Sequence, residues 1–231
     1  MPSTLSAYLP SLLQGALLTA ALALASLALA LLLGLAGAAA KLSGSRFWRG
    51  VASVYTTVIR GVPDLVLMLL VFFGGQIALN ALLQHLGAEY LDIDPFIAGV
   101  ATLGFIFGAY FTETFRGAML AVPAGQLEAG RAFGMSRALV FRRITAPQML
   151  RFAIPSFTNN WLVLVKSTAL VSVIGLNDMM QKAGQAAGAT RQPFTFYLAV
   201  GGLYLAITTL SVLALGALER RVSRGVREAS L

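Results

Sequence analysis

Few side chains in this sequence could do chemistry, and most of them interrupt apolar runs. Glu113, Arg116, Asn159, Asn160, Lys166, Ser167 and Thr168 all lie in predominantly apolar stretches. An ionisable or amide side chain in such surroundings is costly, so each is a candidate for a functional role. Catalysis has little to work with. There is one histidine, His85, there is no cysteine, and no two acids pair within an apolar run. A lone histidine makes no metal site and no thiolate is present, so neither catalytic residues nor metal ligands are expected. What remains is hydrogen bonding and charge pairing.

The elements that must hold these residues are set by composition. Of 231 residues, 58% are hydrophobic and 11% charged, against about 25% charged in an ordinary soluble domain. Lipid is the solvent that accommodates such a chain. A helix needs about 20 residues at 1.5 Å each to cross a bilayer core. Five stretches qualify, over about 11–40, 62–84, 96–118, 152–177 and 194–218. The expected fold is therefore all-α: one polytopic membrane domain with five transmembrane helices and no internal repeat. Gly104 and Gly108, four apart, suit a close helix–helix contact.

Orientation follows from the basic residues. Lys41, Arg46, Arg49 and Arg60 follow the first span; Arg131, Arg137, Arg142, Arg143 and Arg151 follow the third; Arg220, Arg221, Arg224 and Arg227 follow the fifth. The other loops carry Glu89, Asp92, Asp94, Lys182 and Arg191. The N-terminus is expected outside and the C-terminus in the cytoplasm. The net charge of +8 then reflects topology rather than nucleic-acid binding, for which no basic run is interleaved with stacking aromatics. Counted from Arg151, Asn160 lies roughly 13 Å along its span and Lys166 roughly 22 Å. This puts Asn159 and Asn160 near the bilayer middle and Lys166 nearer the outer surface. Glu113, near the inner end of its span, is expected to pair with Arg116 one turn on. The asparagines either line a path or tie helices together. Lys166 either holds a carboxylate or snorkels outward, and Ser167 and Thr168 either join it or pack helices.

Residues 119–151 form an unusual connection, long and amphipathic rather than polar and loose. Pro123 and Gly125 break the chain after the third span. A helical pattern is expected to begin at Glu128 and to be interrupted at Gly134. A second helix should run from Ser136, a suitable N-cap, to Ile144 and stop at Pro147. Two short helices joined at a glycine would form a rigid knob, with Ala129, Ala132, Phe133 and Met135 as its apolar surface.

The run EAGRAFGMSRALVFRRITAP over residues 128–147 resembles the EAA loop of ATP-binding-cassette importer permeases. Glu128, Ala129, Gly134, Ile144 and Pro147 match its pattern; Gly130 and Ala146 depart from it by small apolar changes. YTTVIRGVPDLVLML (55–69), GAYFTETFRGAM (108–119), NNWLVLVKSTALVSVIGL (159–176) and YLAITTLSVLALGALERR (204–221) resemble the polar amino-acid branch of that family, of the histidine/lysine/arginine/ornithine type, and most of all its Q-type permease subunits. The likeness covers nearly the whole chain. It implies a bacterial inner-membrane permease forming half of a path for basic or polar L-amino acids. The implied partners are a sibling permease, a pair of ATPase subunits and a periplasmic amino-acid-binding protein. ATP and magnesium would belong to the ATPase, since this chain has no GxxxxGK[ST] loop and no cofactor is expected on it. The resemblance also implies that Glu128, Ala129, Gly130, Phe133, Gly134, Ile144 and Pro147 couple the permease to the ATPase. A glutamine/glutamate-type permease is the alternative cargo reading. A secondary transporter, the further alternative, would need midplane carboxylates and usually more spans.

Overall fold

The computed structural model describes residues 2–222; Arg224 and Arg227, counted above for orientation, lie outside the described residues. Nine α-helices follow one another among these: α1 (Pro2–Leu42), α2 (Arg46–Gly61), α3 (Asp64–His85), α4 (Pro95–Leu120), α5 (Ala124–Ala132), α6 (Arg137–Val140), α7 (Ala146–Ser167), α8 (Met179–Thr190) and α9 (Pro193–Val222). Five helical stretches are long and apolar enough to cross a membrane. There is no strand among the described residues. The chain is an all-α, five-span membrane protein.

The bundle is organised around α1 and α4, which pack in parallel along most of their length. Alanine and leucine give α1 no polar face, so shape decides its packing. Gly34 and Gly37 of α1 and Gly104 and Gly108 of α4 open the interface: a Cβ on Gly37 would lie 2.2 Å from the Thr112 hydroxyl, and one on Gly104 2.6 Å from Leu29. Without a side chain at these points the two backbones approach closely, and dispersion contacts replace the hydrophobic drive that lipid does not supply. Leu22, Leu103, Phe107, Phe111, Leu164 and Val171 fill the adjoining core.

Helix starts follow their caps. Asp94 accepts hydrogen bonds from the N–H groups of Phe96 and Ile97, with Pro95 in the first turn. Gln76 and Asn80 of α3 clip the 86–94 segment: Asn80 accepts from the Leu91 N–H and Gln76 from the Ile93 N–H.

The fourth span differs from expectation. Pro147 does not end a helix. From Arg137 the chain is continuously helical: α6 passes through a π-helical turn, Phe141–Thr145, straight into α7. Proline cannot donate an N–H and crowds the carbonyl four residues back. The wide turn before Pro147 absorbs both defects, as π turns do inside longer helices. The span then finishes as a 3-10 helix, Thr168–Ile174, closed by Gly175 at φ +95°.

The segment after it is helical and well packed. Met179, Ala183, Ala186 and Ala187 of α8 lie against Leu12 of α1 and Phe196 and Val200 of α9. Asp178 caps α8, accepting from the Gln181 N–H at 2.9 Å, and is fully buried, with Oδ2 left without a partner. Burial pushes its carboxyl up to about 6. The folded state therefore keeps a proton between about pH 4 and 6 that the unfolded chain releases, and stability falls as pH rises through that window. Asp178→Asn retains a capping oxygen without a buried charge. We expect the variant to melt a few degrees above the wild type at pH 7.5 in detergent, with the gap closing by pH 4; thermal scans across that range check it.

Candidate functional site

The 119–151 connection is a folded unit. Helix α5 starts at Ala124, after Pro123, and Glu128 sits in its middle. A helix start at Glu128 does not hold, because proline before Ala124 already presets the first turn, so the dipole of a helix start does not act on Glu128. Glu128 is exposed and has no ion pair among the described residues. The helix ends in a Schellman turn: the Gly134 N–H donates to the Arg131 carbonyl at 2.9 Å and the Met135 N–H to the Gly130 carbonyl at 3.1 Å. Gly134 supplies the left-handed φ of +76° that this turn requires. Ser136 then caps the next helix, accepting from the Leu139 N–H.

The two arms close on each other at Gly130. It is buried, and a Cβ there would lie 2.7 Å from the Ile144 side chain and 3.3 Å from Val140. Glycine at this position lets Ile144 fill the angle between the arms. Gln148 of α7 donates to Gln126 of α5 and ties them again. At the tip Phe133 is 87% exposed, beside Ala129, Ala132 and the half-buried Met135.

Inside the bundle, Glu113 of α4 is a shared partner. One carboxylate oxygen accepts from Lys41 of α1 and the other from Arg116 at 2.9 Å; Lys41 also donates to the Thr56 hydroxyl of α2 at 2.6 Å. The Glu113–Arg116 pair was expected from spacing. Lys41, read from sequence only as an orienting charge, joins it from another helix.

Glu113 also lines a cavity of about 530 Å³ with Arg60, Tyr110, Thr114, Pro155, Ser156, Asn159 and Asn160. Asn160 donates to the Thr114 hydroxyl at 2.9 Å. The Arg60 guanidinium lies over the Tyr110 ring, 5.4 Å from its centre. Tyr110, Thr114 and Ser156 were not read from sequence as site residues, and Arg60 only as an orienting charge; Arg60 had a signal in the 55–69 motif, and Tyr110 and Thr114 in the 108–119 motif.

The depths counted from Arg151 are corrected by these contacts. Thr114 lies less than two turns from the end of α4 at Leu120, so Asn160 sits toward that basic end of the bundle, not at its middle. Lys166 lies in a groove with Thr208 and Thr209, midway along the 30-residue α9, so it is at mid-depth rather than near the outer surface. Arg151 lies within the unbroken α6–α7 helix and does not mark where the membrane begins. Glu113 faces the same cavity as the asparagines, so a carboxylate lies level with them.

Asn159 and Lys166 are seven residues apart on α7, two turns along one exposed stripe that also carries Ser156 and Val163. Ser167 is half-buried. Thr168 turns into the core, where its hydroxyl donates to the Val165 carbonyl at 2.6 Å and lies 3.3 Å from the Tyr204 hydroxyl. The candidates thus separate into a cavity group, an isolated lysine on the same stripe, and a buried threonine that links α7 to α9. No cluster of metal-ligating side chains occurs among the described residues.

A folded knob is thus joined through one helix to a polar cavity in the bundle. Residues 30–224 match the sequence profile of the family described as binding-protein-dependent transport system inner membrane component. The chain belongs to this family. It is 54% identical over 220 residues to the histidine/lysine/arginine/ornithine transport system permease protein HisQ of Escherichia coli K12, covering 95% of this chain and 96% of that one. It is 41% identical over 217 residues to the octopine transport system permease protein OccQ of Rhizobium radiobacter, covering 94% and 92%. Among solved structures, an amino acid ABC transporter superposes with a TM-score of 0.81 at 33% identity, covering 94% of this chain and 96% of that one. The MetNI methionine ABC transporter, at 19% identity and a TM-score of 0.68 over 94% of this chain and 96% of that one, shares the fold.

In this family member Glu113 answers two cations, so removing it leaves both unpaired in partly buried sites. Glu113→Gln should cost about 3 kcal/mol. Lys41→Met together with Glu113→Gln should recover part of that loss. Unfolding in detergent across the four combinations measures it.

Proposed function

We propose that this chain is the membrane-spanning subunit of an ATP-driven importer of basic L-amino acids in a bacterial inner membrane, with its N-terminus in the periplasm and its C-terminus in the cytoplasm. It pairs with a sibling permease, stands on two ATPase subunits and receives cargo from a periplasmic binding protein. The observation that carries the reading is mechanical continuity. The tip at Phe133 joins through a tight glycine turn and an uninterrupted helix to Asn159, Asn160 and Lys166. Movement imposed on the knob by closing ATPases would reach the cavity wall without passing through a flexible link. The family membership and the amino-acid-transporter relatives support the same reading.

In this scheme Glu128, Ala129, Gly130, Phe133, Gly134, Ile144 and Pro147 couple the permease to the motor. Phe133 and the small Ala129 form the surface that enters the ATPase. Gly130 and Ile144 lock the arms, Gly134 makes the turn and Pro147 sits behind the π turn. ATP and magnesium stay with the ATPase.

The cavity charge bears on cargo. Glu113 is matched by Lys41 and Arg116, and Arg60 has no ion pair among the described residues. Asp64, in the first turn of α3, lies within electrostatic reach of Tyr110. Three cations thus face two acids, leaving no surplus negative charge for a cationic side chain. The sibling permease supplies that charge, and the complex holds one cargo molecule off its axis. Arg60 and Asn159 suit the carboxylate end of an amino acid.

Two tests follow from this division. Phe133→Ala should leave melting unchanged yet weaken ATPase capture about tenfold, as truncating an exposed aromatic anchor does. Gly134→Asp, and more severely Gly134→Val, should abolish transport-coupled ATP hydrolysis in proteoliposomes while membrane insertion persists, because a side chain strains the left-handed turn by roughly 1–2 kcal/mol. Normal transport by the Gly134 variants defeats the lever assignment. For cargo, Asn160→Glu should tighten arginine binding or raise its stoichiometry, read by equilibrium binding to the purified complex; unchanged values defeat the sibling-acid assignment.

A further inference from the structure

A second cavity lies apart from the polar one. It is a groove of about 490 Å³ where α2 crosses the end of α1, floored by α4. Leu33 and Ala36 of α1, Trp48, Val51 and Ala52 of α2, Phe105 of α4, and Ser43 between α1 and α2 line it. Its lining offers little hydrogen bonding, because the Tyr55 hydroxyl is already spent on the Phe105 carbonyl at 2.5 Å. Helix α2 buries only Ala52, Thr56 and Ile59. It leaves Phe47, Trp48, Val51, Val54 and Val58 exposed.

The turn of α2 that carries Trp48 is basic. Arg46 and Arg49 occupy the first turn of α2 with Trp48, and neither has an ion pair among the described residues. Arg49 folds back onto the Gly44 carbonyl at 3.4 Å, beside Ser43. The one nearby charge pairing, Lys41 with Glu113, is complete in itself. An apolar slot with a tryptophan in its lining, and two uncompensated guanidinium groups in the same turn of α2, has the layout of a single lipid: chain in the slot, indole at headgroup level, phosphate on the arginines.

We propose that this groove holds one acyl chain of an anionic phospholipid, with its phosphate on Arg46 and Arg49. The inference rests on the orientation proposed above in naming the inner leaflet as the source and in weighing a sibling chain as the occupant. A second permease chain is a poor occupant. The positive-inside pattern gives any sibling its own basic loops at this level, and these would meet Arg46 and Arg49 with like charge.

The test uses the whole transporter, purified with its partner chains into nanodiscs of phosphatidylethanolamine and phosphatidylglycerol. Retained lipids are counted by native mass spectrometry. The wild type should keep one phosphatidylglycerol per copy of this chain, preferred roughly tenfold to thirtyfold over phosphatidylethanolamine, as two basic contacts imply. Arg46→Gln with Arg49→Gln should erase the preference while leaving an acyl chain in place. Ala36→Phe, or Ala36→Leu if the larger variant does not assemble, should lose lipids of both kinds. A photocrosslinking residue at Val51 should label lipid. Equal retention of the two lipids by the wild type, unchanged retention in both groups of variants, displacement by inorganic phosphate alone, or crosslinking of Val51 to a protein chain would each overturn the assignment. The transport assay for Gly134 is independent of all these readouts, so the two proposals fail separately.

Discussion

Glu113 is the charge on which the inner part of this bundle depends. A carboxylate in a low-dielectric setting is tolerated only when its hydrogen-bonding capacity is met and its charge is answered. Here both oxygens are met, one from α1 and one from α4 itself, and the lysine from α1 reaches on to Thr56 of α2. Three helices are thereby held at one level. The glycine-lined contact between α1 and α4 determines how near they come; the ionic node determines their relative height. Slip by one turn and Lys41 no longer meets Glu113.

That level is also the wall of the polar cavity. The node aligns α4 so that Thr114 meets Asn160, and α7 consequently presents Asn159, Ser156 and Lys166 along one unpartnered stripe. The residues that hold the helices and those that line the cavity are therefore the same seen from two sides. A substitution at Glu113 would act on cavity and packing together.

The broad plan was legible in the sequence because lipid imposes a coarse rule: long uncharged runs cross, and nothing else in this composition competes. The knob between the third and fourth spans was legible too, through Gly134 and Ser136, whose local roles need only neighbouring backbone. Depth was not. It was counted from Arg151 as though a charge marks the surface, whereas a long arginine side chain reaches out from a helix that continues past it. The partner of Glu113 was also hidden, because Lys41 is far away in sequence and its pairing depends on the parallel docking of α1 on α4. Pro147 misled for the opposite reason. A proline is a local stop signal, but it is overridden when the preceding turn widens to accommodate it.

That widened turn has a geometric consequence. An α-helix advances about 100° per residue, and a π turn takes up one residue more than an α turn. Phe141–Thr145 therefore works as a phase shifter, rotating everything upstream by one residue step relative to everything downstream. The azimuth of the Phe133 tip and the azimuth of the Asn159–Lys166 stripe are keyed to each other through that single offset. Shortening the turn by one residue would leave composition, helix content and both surfaces intact, and would turn the tip about 100° away from its present azimuth relative to the stripe.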